Sequence, residues 1–91
     1  MTTAAITIER PQREYDDMAF ALMCLEHGLP RQLRRRAGLS QQALADRAGM
    51  PRMIVHTWEH GTAPRLHDMD MLARYGRELK RLARETGLVC M

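Results

Sequence analysis

Residues 40–61 read SQQALADRAGMPRMIVHTWEHG, and this stretch decides the fold. Ser40 suits a helix N-cap, because its hydroxyl can accept a hydrogen bond from a free N–H of the first turn. From Ser40 to Ala48 the inward positions are Leu44, Ala45 and Ala48, which predicts a short helix. Gly49 stops it where the chain must turn left-handed. A second helix is predicted from near Pro51 to Glu59, with Val55 and Trp58 inward, and Gly61 ends it. Small residues stand where two helices must cross closely. A large side chain at position 45 would push the helices apart, and a β-carbon at 49 would strain the turn. This geometry holds the second helix outward, with its polar flank exposed.

Upstream, Pro30 opens a helix expected to run to about Ala37, with Leu29, Leu33 and Ala37 on one face. Further upstream, Pro11 introduces a helix from about Gln12 to His27. Tyr15, Met18, Leu22 and Leu25 form its stripe, with Phe20, Met23 and Cys24 beside or opposite. Being apolar nearly all round from Met18 to Leu25, it needs cover on more than one side. Downstream, Thr62-Ala63-Pro64 is a turn. A final helix is expected from Leu66 to Glu85, its stripe made of Leu66, Met69, Leu72, Ala73, Leu79, Leu82 and Ala83. Gly76 interrupts that stripe and is a candidate bend. The expected organisation is an arm over 1–11, one domain over 12–86 and a tail over 87–91. Ile6-Thr7-Ile8 in the arm alternates weakly and is a candidate short strand.

Composition agrees with an all-α chain, a compact bundle of about five helices. Ninety-one residues give room for one core. Aromatics are few and Met reaches 8, so the core is expected to be aliphatic, built from strong helix formers. The formal charge is only +3, but it is unevenly spread. Residues 1–29 hold two arginines and five acids, whereas residues 30–64 hold six arginines and two acids. A basic centre suits a phosphate backbone. Cys24 reads as a buried apolar residue and Cys90 as part of the tail. Residues 1–8 lack the basic start and apolar core of a signal peptide, and the longest apolar run, Met18 to Leu25, is too short for a bilayer. A cytoplasmic protein with no membrane association is expected.

Leu39-Ser40-Gln41-Gln42-Ala43-Leu44-Ala45-Asp46-Arg47-Ala48-Gly49, then Val55, then Trp58-Glu59-His60-Gly61, then Pro64, closely resembles the Cro/C1-type (XRE-like) helix-turn-helix regulators. The resemblance runs from about Leu33 to Ala73. It implies a lambda-repressor-like fold, here with an added N-terminal helix, whose helix-turn-helix proper occupies 40–60. Matched to the family pattern, Arg52, Met53, His56 and Thr57 stand where base edges are read, and Ser40 and Gln41 where phosphate is bound. Arg34 and Glu59 match a structural ion pair. Two positions depart from the family pattern. Pro51 replaces the usual Ser or Thr before the recognition helix, removing a side-chain cap and a backbone N–H. Gly76 replaces a large apolar residue, so the last helix is expected to differ.

The chemistry of these residues supports a reading face on its own terms. Arg52 can bond a guanine O6 and N7 bidentately, and Met53 or the Thr57 methyl can pack on a thymine methyl. Gln42, Arg31, Arg35, Arg36, Arg47 and Arg65 are further phosphate candidates, giving salt-dependent affinity without sequence choice. Trp58 is expected in the core, and Glu59 in a structural role. His56 with His60, and Cys24 with His27, have metal-ligand spacings but no further ligands nearby, so no metal and no cofactor is expected. The single serine fits an N-cap, and no nucleophile–base–acid set or phosphate loop is present, so no enzyme is expected. The expected function is a transcriptional regulator, a repressor, binding double-stranded operator DNA with inverted-repeat symmetry as a homodimer. The proposed dimer surface is Met18, Phe20, Leu22, Met23 and Leu25, with the last helix around Leu79, Leu82 and Leu88 as second choice. Two alternatives stay open. One is an antitoxin that binds a toxin or other protein partner and represses its own operon; the other is an interaction module without DNA binding.

Overall fold

Five α-helices follow one another in the computed structural model, which describes residues 10–88. They are α1 (Gln12–Glu26), α2 (Leu29–Arg36), α3 (Gln41–Ala48), α4 (Arg52–Glu59) and α5 (Met69–Thr86). A single 3-10 turn, Leu66–Asp68, precedes α5. The fold is an all-α globule. Residues 1–9 of the expected arm, with Ile6-Thr7-Ile8, and residues 89–91 of the expected tail, with Cys90, lie outside the described residues.

The core is aliphatic with two aromatics. Leu33, Leu44, Val55, Leu72, Tyr75, Leu79 and Leu82 are fully buried, and Trp58 nearly so. Burying each such leucine removes it from water for a gain of about 1.5–3 kcal/mol. Tyr75 and Trp58 meet edge to face, with ring centroids 5.1 Å apart. This is the preferred quadrupole arrangement for two buried rings.

The helix α5 is the spine, and α1, α2 and α3 all pack against it. Its closest neighbour is α1, and Gly76 is the reason. A β-carbon at position 76 would lie 1.9 Å from the Asp17 carbonyl oxygen and 3.3 Å from the Ala21 β-carbon. The helix runs through Gly76 without interruption, and the missing side chain is where the α1 backbone sits. This crossing redraws the buried face of α1, which is Asp17, Met18, Ala21 and Cys24. Tyr15 and Leu22, expected on the inward stripe, remain 46% and 48% exposed. The buried Asp17 carboxylate is matched by Lys80 of α5 at 2.9 Å.

Two further expectations need correction. Met18, proposed for the dimer surface, is in the core of the single chain, because α5 supplies the cover that α1 needed. Phe20, Met23 and Leu25 are partly covered as well, leaving Leu22 as the exposed member of that set. Leu66, expected on the inward stripe of the last helix, is 87% exposed. It lies in the 3-10 turn, which is out of register with the helix that begins at Met69.

Candidate nucleic-acid interface

Between Ser40 and Glu59 the chain builds two eight-residue helices around a tight turn. Ser40 caps the first, its hydroxyl accepting the Ala43 N–H at 3.0 Å. Gly49 has φ +69°, a left-handed conformation that costs a residue with a β-carbon about 1–2 kcal/mol. The turn closes as the Met50 N–H donates to the Ala45 carbonyl at 3.0 Å. Ala45 is fully buried, and Met50, which no periodicity singled out, is buried below the turn.

A second unforeseen residue locks this turn from outside. Arg74 of α5 donates from Nε to the Ala48 carbonyl and from Nη2 to the Gly49 carbonyl, both at 3.0 Å. The last carbonyls of α3 would otherwise have no partner in the helix, and a cation there also suits the helix dipole. Replacing Arg74 by Met keeps the stem and removes both bonds. The expected loss is about 1.5–3 kcal/mol, the worth of hydrogen bonds from a charged group. Chemical denaturation measures it, and hydrogen exchange at the Met50 amide should quicken with it. An Arg74→Met protein as stable as the original would mean the tie contributes nothing.

Helix α4 begins after Pro51, which has an extended backbone and provides no side-chain cap. Val55 and Trp58 point inward. Arg52, Met53 and His56 are exposed, Met53 by 61%. Thr57 is half-buried, and its hydroxyl donates to the Ile54 carbonyl at 3.1 Å. Thr57 therefore sits at the border of the exposed face with its polar atom already engaged.

Arg52 is held by a chain of bonds that crosses three helices. Its Nη1 donates to the Gln41 side-chain carbonyl at 3.2 Å, and the Gln41 amide donates to Glu59 Oε1 at 3.0 Å. Glu59 accepts Arg34 through both oxygens, at 2.7 Å from Nε and 3.0 Å from Nη2. Arg34 donates once more, to the Leu39 carbonyl at 3.0 Å. The Glu59 side chain is fully buried. Burial pushes its carboxyl pKa up, but the hydrogen bonds from Arg34 and Gln41 and the charges of Arg34 and Arg31 outweigh that. The group is held below the ordinary carboxylate range. Arg34 is raised in turn by its bond to Glu59. Beneath this pair lies the buried hydroxyl of Tyr75, pushed far above its ordinary value by desolvation and then by the Glu59 charge.

His60 closes the other side. Its Nδ1 is 2.8 Å from the His56 carbonyl and its Nε2 is 3.3 Å from Arg31 Nη2. A carbonyl only accepts and a guanidinium only donates, so the neutral ring with its proton on Nδ1 satisfies both contacts.

The phosphate candidates divide. Arg35 and Arg36 are exposed and make no ion pair or side-chain hydrogen bond among the described residues. Arg31 lies 3.6 Å from Glu59 besides its contact with His60. Gln42 bonds Asp46 within its own helix at 2.8 Å. The Arg65 side chain is exposed, and its backbone N–H donates to Asp68 at 3.0 Å. Arg47 is turned against α5, 3.3 Å from Glu78 and 3.4 Å from Glu85. The buried Glu78 carboxylate requires a cation, and Arg47 supplies it together with Arg81 at 3.2 Å. Arg47 keeps 31% side-chain exposure while it bridges to α5.

Among the described residues no three His, Cys, Asp or Glu side chains are grouped to hold a metal ion, and no helix is long and apolar enough to cross a membrane. Residues 31–75 match a family model described as a helix-turn-helix domain, and the domain is of the XRE-like kind. The match takes in all but the first two residues of α2, the two crossed helices and the first part of α5; α1 lies outside it. No curated protein and no solved structure matches the chain significantly.

Proposed function

We propose that this chain is a sequence-specific transcriptional regulator, a repressor, which binds an inverted-repeat operator as a dimer with α4 in the major groove. A helix-turn-helix domain implies DNA binding. The finer reading rests on the exposed face of α4, where Arg52 projects from the first turn already held by Gln41. A guanidinium restrained before contact loses less rotamer freedom when it binds. Its planar fork fits guanine O6 and N7, and a good bidentate pair discriminates by about 1–3 kcal/mol. Met53 offers an apolar contact for a thymine methyl, and His56 a ring that can donate or accept. Ser40 and Gln41 at the start of α3, with Arg35 and Arg36 on α2, supply phosphate contacts that fix register without reading sequence.

Selection of bound duplexes from random DNA tests this directly. The expected product is an inverted repeat. Arg52→Ala should relax one position in each half-site and lose about 5- to 150-fold in affinity for the selected site, which is that discrimination expressed as a ratio. Arg35→Ala should instead weaken all sequences alike and lower the salt slope by about one. Recovery of no preferred sequence, or an Arg52→Ala protein with unchanged preference, would overturn the reading.

A further inference from the structure

We infer that the charged cleft between the first halves of α1 and α5 binds a small hydroxylated dianion, a phosphate monoester or a dicarboxylate, which acts as an effector. The effector role rests on the DNA reading above; the ligand site does not. The wall from α1 carries Arg13, Glu14 and Asp17. The wall from α5 carries Asp70, Arg74 and Arg77, with the buried Ala73 among them. The cleft holds about 250 Å³, below the roughly 300–1,000 Å³ of sites for drug-sized molecules, so its occupant is small.

Charge selects the ligand. The carboxylates of the cleft already have cations. Glu14 and Asp70 share Arg10, which donates to both, and Asp17 is held by Lys80. The arginines have no anion. Arg13 and Arg77 are exposed and make no ion pair or side-chain hydrogen bond among the described residues, although they line one cleft from two helices. Arg74 bonds only the neutral carbonyls of Ala48 and Gly49, through Nε and Nη2. Its Nη1 is left for a further acceptor. Counting Arg10 and Lys80, five cations stand against three carboxylates, an excess of two positive charges. A dianion cancels that excess, whereas a cation adds to it. Guanidinium forks grip phosphate and carboxylate alike through paired N–H bonds. Carboxylates only accept, so a hydroxyl on the ligand gives Glu14 and Asp70 a donor. Arg74 couples the cleft to the helix-turn-helix. A guanidinium held by both the ligand and the turn is stiffer than one held by the turn alone. DNA that meets an already ordered turn then loses less freedom on binding, so the ligand tightens the complex.

Titration calorimetry of the full chain tests the site. The probes are glycerol 3-phosphate and malate, at fixed ionic strength and a mildly alkaline pH where both carry two charges. Sulfate and glycerol are the controls. At least one probe should bind at least about tenfold more tightly than sulfate, and which one does so tells phosphate from carboxylate. Arg13→Gln and Arg77→Gln should each weaken that binding by about 10- to 150-fold, the ratio that corresponds to hydrogen bonds from a charged group. Arg84→Gln, exposed and outside the cleft, should leave it unchanged. All three positions are exposed, and circular dichroism checks that folding is kept. With saturating probe, affinity for the selected duplex should rise about fivefold or more. Arg74→Met should still take the probe, more weakly, and show no rise. Probes that bind no better than sulfate, or glutamine variants that bind them as the original does, would overturn the site. So would glutamine variants that lose DNA affinity with no probe present, since their arginines would then be DNA contacts. Probe binding that leaves DNA affinity unchanged would overturn the effector role. A protein that takes the probe but prefers no DNA sequence sinks the DNA reading and leaves the site standing.

Discussion

Gly76→Ala is expected to destabilise the protein by at least about 3 kcal/mol, at the upper end of what overpacked cores lose. The sign is informative because helix propensity alone predicts the reverse. Alanine within a helix is favoured over glycine by about 1 kcal/mol, and Gly76 lies well inside α5. Packing decides against it. The new methyl would stand 1.9 Å from a backbone carbonyl of α1, roughly half a normal van der Waals separation. No rotamer relieves a β-carbon, and its neighbour is backbone. The two helices must therefore separate by more than an ångström along their main contact, and Asp17 would move away from Lys80. In a domain of this size each kcal/mol lowers the melting temperature by about 4–8 °C, so a fall of roughly 12 °C or more is expected. Gly76→Leu should undock α1 entirely, leaving Met18 and Cys24 in water. Thermal unfolding by circular dichroism reads both variants. A Gly76→Ala protein that melts at or above the original would show that α1 and α5 do not cross as described.

The same crossing shows where the sequence is silent. The helix-turn-helix was legible because its rules are local. A cap at Ser40, a left-handed glycine at 49 and inward Val55 and Trp58 each act within a few residues. The α1–α5 contact is instead made by small and charged residues, Gly76, Ala21, Asp17 and Lys80. Hydrophobic periodicity scores such residues as gaps, so beside Met18, which is buried, it favoured the exposed Tyr15 and Leu22 and passed over Asp17 and Ala21. Glu78 was passed over for the same reason, and Tyr75 was passed over because its partner Trp58 lies far along the chain. At the candidate site the resemblance placed Arg52, Met53 and His56 on residues the fold leaves exposed. It could not show that Gln41 spans from Arg52 to Glu59, or that Arg47 is drawn to Glu78. Arg74 gave no local signal at all, since its acceptors are backbone carbonyls some 25 residues away in the chain.

Removing the Glu59 carboxylate is expected to cost about 3 kcal/mol, the lower end for a broken buried pair, because Arg34 keeps 11% side-chain exposure. Glu59→Gln leaves the guanidinium of Arg34 facing a neutral amide with part of its hydrogen bonding lost. Arg34→Lys keeps the charge but loses the fork that meets both carboxylate oxygens, so it should also be destabilising. Replacing both partners by methionine should recover much of the loss, since neither variant group then needs a counter-ion. The pH dependence gives an independent check. The carboxyl of Glu59 is held below its ordinary range in the folded chain, so the pair's contribution is present above the ordinary carboxyl value of 4.5 and is lost as pH falls through the lowered one. Glu59→Gln should therefore flatten the acid limb of the stability curve below that value and leave its neutral limb parallel to the original. DNA recognition should follow stability here. Gln41 is positioned by Glu59 and in turn holds Arg52, so the folded Glu59→Gln protein should discriminate less at the Arg52 position while its salt slope stays the same. A Glu59→Gln protein with unchanged stability and an unchanged acid limb would mean that the buried pair contributes only its geometry.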